Sequence, residues 1–126
     1  IQAATQQLTE AGIRVSLFIE PDIEHIEKSK AIGAPVIELH TGAYAEQKTT
    51  EGEDKEFQRV VKAAEFGESI GLHVNAGHGL HYQNTRPIAE IGAIRELNIG
   101  HAIIARALFV GLRQATEEML TQIEVA

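Results

Sequence analysis

Four times along this chain a helix-like segment closes on a glycine and a short apolar run follows. The four stretches are TEAGIRVSLFI, KAIGAPVIELH, ESIGLHVNAGH and AEIGAIRELNIGH. Gly12, Gly33, Gly71 and Gly92 stand where a helix would end through a left-handed residue. Each is followed by a run rich in Val, Ile and Leu, the length of a buried strand. The repeat therefore reads αβαβαβαβ, and short right-handed connections of this kind impose a parallel sheet. The predicted strands cover residues 15–19, 36–40, 74–76 and 96–100. Helical periodicity predicts a helix over residues 55–70 and a last helix starting near His101, its buried face running through Ile104, Leu108, Gly111, Ala115, Met119 and Ile123. Pro21 and Asp22 should open the helix after the first strand, and Asn84 or Thr85 should cap a short one before Gly92. Residues 1–11 read as the second half of a helix, and with Ile1 in first place the chain reads as cut.

Strand alternation sorts the side chains by face. Val15, Leu17 and Ile19 should meet helices while Ser16, Phe18 and Glu20 face a mixed interior. On the second strand Ile37 and Leu39 point to helices, and Glu38 and His40 share the opposite face. A carboxylate and an imidazole on an inward face are expensive unless paired or functional. Glu38 is read as a site residue; His40 is balanced between a structural Glu–His hydrogen bond and a site role. Asn75 and Asn98 should lie inward, side by side. Two strands run into Gly-His pairs, HVNAGHGL and ELNIGHA. His78 and His101 thus fall at strand C-terminal ends, where an imidazole can move a proton or face an anion. His73, at a strand start, is expected to be inert and His25 to be a solvated surface residue, while His81 is as easily a loop residue facing water as part of the ligand end. Residues 41–54 carry no clear element signal and read as a long loop, either a functional lid or plain surface.

With 126 residues, 44% of them hydrophobic and none of them cysteine, the chain suits one globular unit without disulfides or a zinc–thiolate cluster, a composition expected of a cytoplasmic protein. A net charge of −7 argues against a nucleic-acid surface, and no apolar run is long enough to cross a bilayer. Polar and apolar residues alternate within the strands. An open sheet covered on both sides would be apolar throughout, so half of a (β/α)8 barrel is favoured over part of a doubly wound sheet. In a barrel, phosphate commonly sits in the loops after the last two strands, at a helix N-terminus. Gly79, Gly100 and the amide of His101 would supply donors there.

The stretches VIELHTGAYA, VNAGHGLHYQN and ELNIGHAIIARA resemble the pyridoxine 5′-phosphate synthase family, and the likeness runs from AGIRVSLFI onward. The resemblance implies an α/β fold in which residues 1–126 are the C-terminal half, strands 5–8, of one (β/α)8 barrel. It also implies condensation of 1-deoxy-D-xylulose 5-phosphate with 3-amino-2-oxopropyl phosphate, releasing phosphate and water. By the same resemblance His78 is the proton donor and Glu38 stabilises charged intermediates. Gly79, Gly100 and His101 hold the amino-ketone phosphate. No cofactor or resident metal is implied, the only partners being phosphorylated small molecules and further copies in a homo-oligomer. The family's other bases come from strands without a counterpart here, so the 126-residue segment alone is expected to be inactive. Two rival readings remain: a metal-dependent hydrolase or other phosphate-binding barrel enzyme using Glu38, His40, His78 and His101, and a non-catalytic half-barrel scaffold.

Overall fold

Three of the repeated glycines close their helices in the same way. Gly12, Gly33 and Gly71 have φ of +77°, +86° and +79°. In each case the glycine amide and the one after it bond back into the last helical turn, as when Gly33 N–H donates to the Lys30 carbonyl and Ala34 N–H to that of Ser29. Such a reversal costs a β-carbon residue about 1 kcal/mol or more and glycine very little, and it aims the chain straight into the following strand.

A computed structural model describes residues 1–124. The elements are α1 (Gln2–Glu10), β1 (Ser16–Ile19), α2 (Ile23–Ala31), β2 (Val36–His40), α3 (Gly42–Ala45) and α4 (Thr50–Ser69), followed by β3 (His73–Gly77), α5 (Thr85–Ala89), β4 (Ile94–Asn98), α6 (His101–Val110) and α7 (Leu112–Ile123). The strands form one parallel sheet in the order β1-β2-β3-β4. Ile37 and Leu39 are fully buried, packed in one cluster with Ile26 of α2, Val60 and Ala64 of α4, Val74 and Ala76 of β3, and Ile88 of α5. Burying each large aliphatic side chain contributes about 1.5–3 kcal/mol. α4 approaches the sheet through Gly67, where a β-carbon would stand 2.9 Å from Val74 and 3.1 Å from Ile37. The other face of the sheet carries Phe18, Glu38, His40, Asn75, Glu96 and Asn98.

Several boundaries differ from the sequence expectation, each for a local reason. Gly92 is not left-handed, because α5 ends at Ala89 and Ile91, not Gly92, follows its capping residue. β4 accordingly begins two residues early. A register shift opposite Val74/Asn75 leaves Arg95 unpaired, so that Ile94 and Leu97, three apart, both pack on the core. α2 starts at Ile23, with Pro21 outside it and Asp22 as the cap, its carboxylate accepting from Glu24 N–H at 2.9 Å. Residues 41–54 are not a long loop: they contain α3 and the first turn of α4, which Thr49 caps by accepting from Gly52 N–H at 3.1 Å. The last helix is two helices. Gly111, at φ +84° and ψ 154°, breaks it, leaving Ala115 and Met119 buried but Ile104 and Leu108 exposed. Among the described residues no helix is long and apolar enough to cross a membrane.

Candidate active site

The turn that follows β3 is the most constrained piece of backbone in the chain. His78 has φ +82°, the one described non-glycine residue with a positive φ. A histidine held there costs of order 1–3 kcal/mol, which the surroundings must offset. They do so from two sides. Thr41, wholly buried at the end of β2, donates its amide to the Gly77 carbonyl at 2.9 Å. Its hydroxyl lies 2.7 Å from that same oxygen and 2.6 Å from the His78 carbonyl, so one proton is shared between two acceptors. From the other side the Asn84 side chain donates to the Gly79 carbonyl at 3.3 Å and accepts from His81 N–H at 2.7 Å. Asn84 occupies the capping position of α5 without capping it; its side chain is spent on the turn instead. α3 closes over the turn so tightly that a β-carbon on Gly79 would lie 2.7 Å from that of Ala45.

Glu38 and His40 share a face, as alternation requires, but they do not bond to one another. The Glu38 carboxylate accepts from the Asn98 amide at 2.8 Å, reaching over β3. Gly77 makes that reach possible, since a β-carbon there would stand 2.5 Å from Glu38 Oε1 and 2.9 Å from the Asn98 carbonyl. His40 Nδ1 lies 2.8 Å from Glu20 Oε1, and its ring meets Phe18 edge-on at 5.1 Å and His78 at 4.6 Å between centroids. Asn98 is not beside Asn75. Asn98 pairs with Gly77, and Asn75 pairs with Glu96, donating to its carboxylate at 3.1 Å. Asn75 Oδ1 is buried without a partner among the described residues, as is Nε2 of His73 at the start of β3.

Gly100 and His101 begin α6, whose N-terminus has no side-chain cap and no acidic residue in its first turn. The first intrahelical bond reaches Ile104 N–H, which leaves the preceding amides free to receive an anion. Glu38, His78, Gly79, Gly100 and His101 all line one cavity of about 560 Å³, joined there by Asn98 and His81. His81, left open between water and the ligand end, borders the same space. His25 is exposed on α2, away from it. A larger cavity of about 670 Å³ lies along β1 between Leu17, Ile19 and Ile32, with an almost wholly apolar wall. Glu20, His25, Lys28 and His40 also border it, but the smaller cavity is the stronger candidate because it gathers Glu38, His78 and the uncapped start of α6. Among the described residues no group of three or more His, Asp or Glu side chains is placed to hold a metal ion.

Sequence reasoning missed the supports of this site. Alternation puts Glu20 on the mixed face but gives it no partner, the loop signal over residues 41–54 hides Thr41, and nothing in the sequence marks Gly77 as a crossing point. The register supplies what the sequence lacked: Ile19 pairs with Leu39 and His40 with Gly77, which brings Glu20, His40 and His78 into one row across three strand ends.

Fold and site together define a parallel α/β protein with a carboxylate, an imidazole and an uncapped helix start around one cavity at its strand C-terminal ends. The chain belongs to the family described as Pyridoxal phosphate biosynthesis protein PdxJ, whose profile matches residues 1–125. Over 119 residues, 94% of the chain, it is 56% identical to the pyridoxine 5′-phosphate synthase of Idiomarina loihiensis, covering 49% of that protein. The same identity and span relate it to the pyridoxine 5′-phosphate synthase of Legionella pneumophila strain Corby, with 48% of that protein covered. The chain thus spans about half the length of the curated relatives it matches.

Proposed function

We propose that this chain is the C-terminal half, strands five to eight, of a (β/α)8 barrel acting as a pyridoxine 5′-phosphate synthase. The protein would join 1-deoxy-D-xylulose 5-phosphate to 3-amino-2-oxopropyl phosphate, with loss of phosphate and water. One observation carries the reading: His78, Glu38 and the open start of α6 border a single cavity, in a chain whose relatives bear that enzyme's name. Making a ring from an amine and a ketone needs protons delivered to departing hydroxyls, and charge tolerated on nitrogen and carbon along the way. His78, exposed at the tip of a rigid turn, is the proton donor. Glu38 offers a fixed negative charge, oriented by Asn98, to cationic intermediates. The Gly79 amide and the amides of Gly100 and His101 hold a phosphate, and binding it there orients the reacting end before any bond changes. The uncovered polar face of the sheet supports the barrel reading, since in a barrel that face is the interior.

The test is the full-length protein with both substrates, assayed for pyridoxine 5′-phosphate. Wild type should form the product, and His78→Asn should lower kcat about a hundredfold or more while KM changes less. No product from the wild type removes the assignment; normal turnover in the variant removes His78 from the chemistry.

A further inference from the structure

His78 is held at its backbone by Thr41 and Asn84, yet among the described residues no hydrogen bond fixes its ring. What the ring does touch is His40, at 4.6 Å between centroids and a 51° tilt. His40 in turn is tied down. In the parallel register Ile19 pairs with Leu39, so the next residues, Glu20 just past β1 and His40 at the end of β2, stand side by side on one face. Their side chains meet at 2.8 Å through His40 Nδ1. Arg59 of α4 approaches the second Glu20 oxygen at 3.7 Å and is itself bonded to Glu56 at 3.2 Å. An ionised carboxylate can only accept, so Nδ1 of His40 carries the donated proton and the ring's tautomer and orientation are set. Its Cε1–Nε2 edge lies against Gly42. A β-carbon at position 42 would stand 2.8 and 2.9 Å from those two atoms and 3.1 Å from Cδ2 of His78. The two imidazoles therefore meet in a gap that only a glycine leaves open.

We propose that Glu20 and His40 are a positioning pair for His78: the carboxylate locks the His40 ring, and that ring holds the His78 imidazole toward the cavity. The role rests on the reading of His78 as the proton donor, and it gives His40 a function that does not require contact with substrate. Carboxylate–imidazole pairs do this work where a working group must keep one orientation.

The experiment uses the full-length protein and two independent readouts. The first is kcat and KM for wild type, Glu20→Gln, Glu20→Asp and His40→Phe. The second is the ¹⁵N shifts of the His78 ring at one fixed pH, which need no turnover. Glu20→Gln should lower kcat about tenfold, less than loss of the acid itself, with KM within about threefold and the His78 ring signals displaced. Glu20→Asp should recover part of the rate. His40→Phe keeps the ring volume and the Phe18 contact but cannot bond Glu20, so it should fall as far as Glu20→Gln, and the double variant no further. Unchanged rates and unchanged His78 signals in Glu20→Gln overturn the proposal, as does full activity in His40→Phe. Should Glu20→Gln fail to fold, His40→Phe decides alone. If the wild type makes no product, the assigned reaction has failed while the His78 ring signals still test the pair.

Discussion

Gly77 shows how much of a site rests on an absence. Its missing β-carbon lets Glu38 of β2 and Asn98 of β4 touch across the strand between them, at 2.8 Å. Adding one methyl group there places a carbon 2.5 Å from the Glu38 carboxylate and 2.9 Å from the Asn98 carbonyl. One clash is with a side chain and one with backbone, so only the first can move aside cheaply. Gly77→Ala should therefore cost about 1–3 kcal/mol in the full-length protein, the usual range for overpacking. It should also lower turnover, because Glu38 is the group displaced. Denaturant unfolding and steady-state kinetics check both; an unchanged rate would mean that Glu38 does not need Asn98. At this scale the sequence was legible where chemistry follows residue type and alternation. Glu38 was singled out by alternation and His78, Gly79, Gly100 and His101 by their place at strand ends, and all five line one cavity. It was silent where the partner sits on another strand, because Glu38–Asn98 and Glu20–His40 depend on register, and register is not written in either strand alone.

The element most misjudged from sequence is α3, and its packing explains why. Gly-Ala-Tyr-Ala is too short for a helical period to show, and its one large side chain is almost fully buried, with Tyr44 only 3% exposed. The Tyr44 hydroxyl donates to the Asn84 carbonyl at 2.9 Å, and its ring tilts against Phe57 of α4 at 6.2 Å. The helix is thereby fastened to the segment that steadies the His78 turn. Burial, reinforced by the Glu53 carboxylate, pushes the Tyr44 phenol up to about 12. The sign follows by linkage. Below pH 10 the phenol is protonated in both folded and unfolded chains and its contribution is complete. Between pH 10 and 12 the unfolded chain sheds the proton and the folded one keeps it, so stability falls as pH rises through that window. Tyr44→Phe should lose about 0.5–1.5 kcal/mol near neutrality, the worth of the hydrogen bond. It should also show a shallower decline above pH 10. Unfolding curves at pH 8 and pH 11 for the two proteins give the comparison; parallel declines would mean Tyr44 ionises freely. The α6–α7 break has the opposite origin. The apolar spacing runs unbroken through Gly111, and only the backbone angles of that residue, in a region closed to other side chains, end the helix.

At the scale of the whole molecule, the described residues leave unusual surfaces open. β1 and β4 are both sheet edges, each presenting unpaired N–H and C=O groups. On the polar face Phe18, Glu96 and Asn98 are exposed, so that face of the sheet is uncovered, as the proposed half-barrel requires. α6 buries none of its side chains, leaving Leu108 83% and Phe109 85% exposed beside Leu112. The αβ repeat made the parallel sheet and its strand order legible, since each short connection leaves little choice of neighbour. Which surfaces stay open was not legible, because burial on the far face depends on what packs there. A complete barrel takes about 200 residues or more. Residues 1–126 expressed alone should therefore associate through the β1 edge and the α6 surface, and should make no pyridoxine 5′-phosphate. The edges favour strand pairing between copies, while the apolar helix favours burial against any similar surface, so association should deepen with concentration and not stop at one defined size. Light scattering after gel filtration, with a product assay on the same fractions, tests this directly. A monomer of these residues that unfolds cooperatively and catalyses the condensation would show that the inward face needs no cover and that His78, Glu38 and the start of α6 are sufficient by themselves.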